Sequence, residues 1–463
     1  MSESTEGGGP SLARLVASTP PDRDRFVDFI RGASILVVIL GHWTVSVILY
    51  DGDTVTATNV LGTARWLQWA TWLVQVMPLF FFVGGFSNLR AITHEQREGL
   101  GYADYLRRRL ARLMRPTLVF VVAWMLAAAA LDATTLDHDT VHLVGSLAAQ
   151  PLWFLAVYLI VVALAPPMAA VHRRHPVLPI VLLVGVVGLL DVARFHGDPG
   201  GLSFGNYVLV FLFAQQLGFF YGDGRLTRWS GRSLLAISAS AFALLAVLTT
   251  VGPYPTSMVG VPGEELSNMS PPTWCVIVLT LAQVSLVMAL RPAANRWLQR
   301  RRVWTATVAV NSRIMTLFLW HLTALALAAV VLVLILGFPT PAAAAAGWWW
   351  SRPVWIAAAL VVLAVFVAAF GWAEQPRPAR TASRTGPAAA VVGLLLVVRG
   401  LIGLALNGFS RLLDAPGRSF LGLALSPLAN TVLIVVGYLL VQGVGIRGLR
   451  ARSRDPAATP MHH

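Results

Sequence analysis

The sequence predicts an all-α polytopic membrane protein, and three observations carry that expectation. Apolar runs of about twenty residues recur along the whole chain, the length a helix needs to cross a hydrocarbon layer. Only 12% of the 463 residues are charged and 56% are hydrophobic, with a mean hydropathy of +0.69, whereas a soluble domain is about a quarter charged. Arginine concentrates in alternate loops, the positive-inside pattern. That pattern also accounts for the net charge of +14, so the basicity implies a topology and no nucleic-acid partner. Every basic residue of the Lys/Arg class is Arg, so each arginine needs a positional argument before it is given a role.

Residues 1–22 are rich in Gly, Ser and Pro and hold no apolar run long enough for a signal peptide, which predicts a disordered cytoplasmic tail. The first span, about 27–49, begins in DRFVDFIRGASILVVILGHW (24–43), with Asp51 and Asp53 marking its far end. It carries Asp28, Arg31 and His42, each costly in hydrocarbon and each a functional candidate for that reason. At about 100° per residue, Arg31 and His42 return to within roughly 20° of one face, and they stand about 16 Å apart along the axis. That spacing suits a ligand with a charged head and a long arm whose reactive end must reach a base.

A second span is expected at about 67–89, ending MPLFFFVGGFSNLR, where Gly84 and Gly85 allow close approach of another helix or a break. The stretch YLRRRLARLMRP (105–116) reads as a loop whose Arg109 and Arg112 share a face at a helix start, flanked by Arg108 and Arg115. Guanidinium groups there serve either as a cytoplasmic anchor or as bidentate phosphate ligands. After a third span, about 116–131, the acidic stretch 131–143 sets His138 and His142 beside Asp137 and Asp139. No organised third ligand accompanies them, so a solvated loop and no metal site is expected. The fourth span, about 151–166, opens with Trp153, either an interfacial belt residue or part of an acceptor pocket.

Further spans are expected at about 177–192, 204–221, 233–251, 273–290, 311–337 and 354–372. Gln215 and Gln216 are candidates for interhelical hydrogen bonds, and the long loop 252–272 has the length to cover an acceptor site. The single Cys275 excludes an intrachain disulfide. His321 lies well inside its span and is either a structural hydrogen-bonder or a second polar site residue. A basic linker (374–387) leads to two apolar segments, about 388–408 and 425–442 within a region 388–445, and to an Arg-rich tail, 446–463. Arg399 in the first of these is a functional group, a partner for another helix, or the mark of a re-entrant segment. Twelve spans with both termini cytoplasmic satisfy the arginine distribution, in a multi-pass protein of the cell membrane.

The Asp28-x-x-Arg31-Gly32 motif, followed by an apolar run to His42 with ten residues between Arg and His, resembles the first helix of the acyltransferase 3 family. These are integral membrane enzymes that acylate sugars, glycans and glycolipids. The Phe-rich run into Gly84-Gly85-Phe86 is similar to the family's second helix, with Gly84 where the family usually has Ser. Arg109-Leu-Ala-Arg112-Leu with Pro116, the Leu-Trp-Phe-Leu at 152–155 and an aromatic-x-x-His ending at His321 continue the likeness. The resemblance covers roughly 23–372, most closely in its first third, within a membrane domain of about ten helices (23–373), and leaves 374–463 as an appendage.

What the resemblance implies is an acyl-CoA-dependent O-acyltransferase, with acetyl-CoA the expected donor. Arg31, Arg109 and Arg112, with Arg108 beside them, would hold the phosphates of the donor, and Asp28 would orient Arg31. His42 would act as general base or transient acyl acceptor, with Trp153 and His321 in support. The acceptor would be a hydroxyl of a cell-envelope glycan or glycolipid, membrane lipid is the remaining partner, and no metal is needed. The competing reading is a transporter or flippase of a lipid or glycolipid. Against it, the polar groups concentrate in the first three spans and the two halves show no repeat. A membrane scaffold in which Asp28 and Arg31 form only a structural pair is the third reading.

Overall fold

The computed structural model describes residues 12–50, 55–133, 138–197, 201–375, 386–414 and 422–443. Asp51, Asp53, most of the expected linker and the basic tail lie outside the described residues. A short helix α1 (Leu12–Ala17) stands where a disordered tail was expected, and just beyond it the Thr19 hydroxyl accepts from Trp304 Nε1 at 3.1 Å. Helix α2 (Arg25–Val45) is capped by Asp24, whose carboxylate accepts from the Phe26 and Val27 amides. It ends at Val45 instead of near 49 because the β-branched stretch beyond it is better placed in a hairpin. Strand β1 (Ser46–Tyr50) pairs antiparallel with β2 (Val55–Asn59), Ser46 opposite Asn59.

The second expected span is two helices, α3 (Trp66–Val74) and α4 (Met77–Arg97). The break falls at Gln75–Val76 and not at the glycines. Pro78 in the first turn of α4 has no N–H to give and restricts the residue before it. Gln75 fills the gap, its Oε1 accepting from the Met77 amide and its Nε2 donating to Met258 O. Helix α5 (Tyr102–Asp132) then runs unbroken through the arginine-rich stretch expected to be a loop, with Pro116 inside it.

Helices α6 (His138–Ala149), α7 (Pro151–Arg174), α8 (Leu178–Phe195), α9 (Asn206–Gly222), α10 (Gly231–Thr250) and α11 (Trp274–Trp297) follow. The chain continues as α12 (Arg301–Asn311), α13 (Ile314–Ala329), α14 (Ala346–Phe370), α15 (Pro387–Asn407) and α16 (Pro427–Gln442). Among the described residues, eleven helical segments are long and apolar enough to cross a membrane. The protein is an all-α polytopic membrane protein. Helix α16 has 16 residues, about 24 Å against a hydrocarbon core of about 30 Å, so the twelfth expected span is a shorter helix.

Position in the bundle follows from burial. The apolar windows containing α4, α9 and α13 are each 67% buried and that of α8 only 17%, so the first three are central and α8 presents its side chains outward. Central packing of α4 on α9 depends on glycine. A Cβ on Gly85 would overlap the Gln215 carbonyl, and one on Gly218 would overlap the Phe82 carbonyl, so the two backbones touch. The neighbouring Asn88 donates to Gln215 Oε1 at 2.8 Å, an interhelical bond of the kind the two glutamines suggested.

The segment beyond 373 is tied into the bundle. Glu374 accepts from the Met315 amide (3.0 Å), the Thr316 amide (2.7 Å) and the Thr316 hydroxyl (2.5 Å), which caps the start of α13 from another element. Helix α15 meets α16 through Gly393, Gly400, Gly403 and Gly437 and packs on α7. Arg399 donates to Asn430 Oδ1 at 3.1 Å and to Leu423 O at 2.7 Å, which makes it a partner for α16. Beyond α15, the buried Phe409 stacks on Trp124 at 5.7 Å, and Ser410 Oγ meets His142 Nδ1 at 2.9 Å. His142 is therefore on a helix and used in packing, where a solvated loop was expected.

Candidate active site

The site is built around one face of α2. At its start, Asp28 is buried, with Oδ2 accepting from Arg23 Nε at 2.5 Å and Oδ1 from Arg31 Nη1 at 3.1 Å. The Asp28 carbonyl accepts from Asn311 Nδ2 at 2.9 Å, which fixes α12 against this turn. Arg31 turns its other nitrogen to α4, Nη2 donating to Ser87 Oγ at 2.7 Å. Arg109 of α5 reaches the same residue, Nη2 donating to the Ser87 carbonyl at 3.0 Å. Three helices thus bring two guanidinium groups onto one serine. Arg109 Nε is buried without a hydrogen-bond partner among the described residues, and the guanidinium lies over the Tyr105 ring, 5.6 Å from its centroid.

Arg112 stands within electrostatic reach of Arg31 and Arg109. It stands among protein groups and yet is exposed. Tyr158 of α7 lies in the same field and packs against Gly84, where a Cβ would meet the ring at 3.4 Å. Arg108 departs from the sequence expectation. It sits about 100° round α5 from Arg109, is exposed, and pairs with Glu98 at 3.3 Å, outside the cluster.

From Arg31 the same face of α2 runs through Ser34 and Val38 to His42. Ser34 and Val38 wall a small space of about 10 Å³, closed by Val76 and Met77 at the helix break and by Phe80, Phe154 and Phe318. The break in the second span thus supplies two of the lining residues. Trp153, the residue before Phe154 in the first turn of α7, packs edge-on against Tyr207 at 5.8 Å; the ring that α7 gives to the space is Phe154.

His42 occupies the last turn of α2 and, like Arg112, is enclosed yet retains accessible surface. Its Nδ1 lies 2.8 Å from Val38 O. A carbonyl only accepts, so in the neutral ring Nδ1 carries the proton and Nε2 keeps the lone pair. The His321 ring is 5.2 Å away, with Nδ1 2.5 Å from Phe318 O and Nε2 buried without a partner among the described residues. Trp43 Nε1 donates to the His321 carbonyl at 2.9 Å and locks α2 to α13 at this level. The structure therefore brings together Asp28, Arg31, Arg109 and Arg112 at one end of the face and His42 with His321 at the other. Ser87, Tyr158 and Asn311 went unnoticed in the sequence; a Ser-Asn pair directly after an apolar run was the available sign of the first.

A family model described as an acyltransferase domain matches residues 24–373, from the cap of α2 to the residue before Glu374. The chain belongs to the acyltransferase 3 family. As a member it is a multi-pass membrane acyltransferase, and the comparison gives no support to a transporter or flippase. No curated protein and no solved structure matches it. The matched region of this acyltransferase 3 protein contains every residue of the site described above except Arg23, and α15 and α16 lie beyond it.

Proposed function

We propose that this acyltransferase 3 protein transfers an acyl group, acetyl or another short chain, from acyl-CoA to a hydroxyl of a cell-envelope glycan or glycolipid. One observation carries the reading: two arginines converge on Ser87 at one end of an apolar face whose other end holds an enclosed imidazole with no Nε2 hydrogen bond among the described residues. Arg31, Arg109 and Arg112 would bind the donor phosphates, as fork-shaped cations suited to them. The apolar face through Ser34 and Val38 then gives the path along which an unbranched arm would lie once the rings around its small space part, and about 16 Å separates Arg31 from His42.

At the far end His42 acts as general base. Its Nε2 takes the acceptor hydroxyl proton as that oxygen attacks the thioester carbonyl. The C–S bond breaks, and the imidazolium returns the proton to the departing sulfur, so an ester and a free thiol result. His42 lies on the final turn of α2, next to the hairpin β1–β2, which favours an acceptor arriving from the end of the bundle opposite the arginines. With the arginine-rich loops facing the cytoplasm, that end faces outward.

The test is acceptor-dependent thiol release from acetyl-CoA by the purified protein in nanodiscs, across a panel of glycan and glycolipid acceptors. Release by the wild type, abolished in His42→Ala while coenzyme binding persists, supports the reading. A wild-type protein that neither binds nor consumes any acyl-CoA refutes it.

A further inference from the structure

A basin of about 900 Å³ opens at the arginine-rich end of the bundle, between the last turns of α4 and α7 and the turn after α9. That size is typical of small-molecule sites. Its floor is fixed: buried His172 sits with Nε2 3.1 Å from Asp223 Oδ2 and Nδ1 2.8 Å from Gln216 Nε2. The amide is the donor to Nδ1, so the Nε2 proton goes to Asp223. Both carboxylates that line the basin are engaged, Asp223 also by Arg225 at 3.1 Å and Asp22 by Arg90 at 2.9 Å. Arg97 from α4 and Arg173 from α7 also line it, and neither has an ion pair or hydrogen bond among the described residues. The positive-inside rule accounts for arginines at this end but not for two uncommitted ones lining a concavity whose acids are already neutralised. A concave wall with four arginines against two paired carboxylates is net positive and focuses the field on an anion.

We propose that this basin is a second anion site that takes a phosphate monoester through Arg97 and Arg173. It is separate from the Arg31–Ser87–Arg109 cluster but linked to it. Asp22 on the basin wall adjoins Arg23, which pairs with Asp28, which pairs with Arg31. Two sources carry the required chemistry: the phosphorylated ribose end of a nucleotide donor, which rests on the function proposed above, and the headgroup of an anionic lipid, which does not.

The experiment measures binding to full-length protein in phosphatidylcholine nanodiscs by calorimetry, with adenosine 3′,5′-bisphosphate as the probe. A parallel arm measures retention of phosphatidic acid by native mass spectrometry. Wild type is compared with Arg97→Gln/Arg173→Gln, and with the single variants should the double variant fail to fold. A loss of at least tenfold in nucleotide affinity, larger than that caused by Arg109→Gln, supports a nucleotide occupant. Loss of phosphatidic acid alone supports the lipid source. Unchanged binding of both probes overturns the proposal and leaves the two arginines as part of a solvated basic collar. Thioester turnover is measured separately, so a protein without turnover but with basin-dependent binding refutes the proposed function and not the basin.

Discussion

Replacing Asp28 with asparagine tests whether Arg31 is a positioned ligand or a bystander. Asp28 is 6% exposed and each carboxylate oxygen accepts from one guanidinium, Arg23 at one side and Arg31 at the other. Asparagine keeps the shape but must turn an NH₂ group toward one of these donors, so one arginine loses its partner. Removing one member of a fully buried pair costs about 3–5 kcal/mol. The Arg31 side chain is 22% exposed, so solvent cuts that to about 1–3 kcal/mol. At about 1.4 kcal/mol per factor of ten, KM for acetyl-CoA should rise about 5- to 100-fold. His42 lies about 21 Å further along the helix, so kcat should change little. The assay is thiol release over a range of donor concentrations, with Arg23→Ala beside it. Arg23 is 46% exposed, and its loss should leave KM within about twofold. An unchanged KM in Asp28→Asn, or an equal rise in Arg23→Ala, would refute the argument that Asp28 works by holding Arg31.

Other outcomes follow from the same geometry. His42→Ala should lower kcat by about 10²- to 10⁴-fold, the range of a lost general base, with donor affinity by equilibrium dialysis unchanged. Gly85→Ala should destabilise the protein by about 1–3 kcal/mol, because its methyl must displace the α9 backbone at Gln215. Gly84→Ala meets only the Tyr158 ring at ordinary contact distance and should melt within a few degrees of wild type by scanning fluorimetry. Phe409→Ala empties a fully buried site against Trp124 and Phe120 and should cost about 3–5 kcal/mol. A Phe409→Ala melting curve that overlays wild type would show that the segment beyond the family region is not part of the folded unit.

The sequence by itself determined the class of fold, because apolar runs and their arginine-bearing ends are local properties that a bilayer converts directly into spans. It also determined that Asp28, Arg31 and His42 share one face, since helical spacing is arithmetic. Residues 105–116 were misread as a loop because five arginines suggest solvent, whereas their long stems let a continuous helix α5 carry them. Gly84 and Gly85 left open either a break or a close approach of another helix, and only the neighbour decides which. Here α9 lies against Gly85, and the chain breaks before Pro78, more than two turns ahead of the glycines.

Only the tertiary structure decided what meets across helices. Arg31 and Arg109 are 78 positions apart and come together because Ser87 of a third helix offers a hydroxyl to one and a carbonyl to the other. Arg108, adjacent to Arg109 in the chain, is turned to Glu98 by a single step of helical rotation. His42 and His321 stand 5.2 Å apart because Trp43 bonds the His321 carbonyl. Periodicity assigns a residue to a face of its own helix. Which other helix that face receives depends on the packing of glycines and rings from distant segments, and that is settled only when the bundle closes.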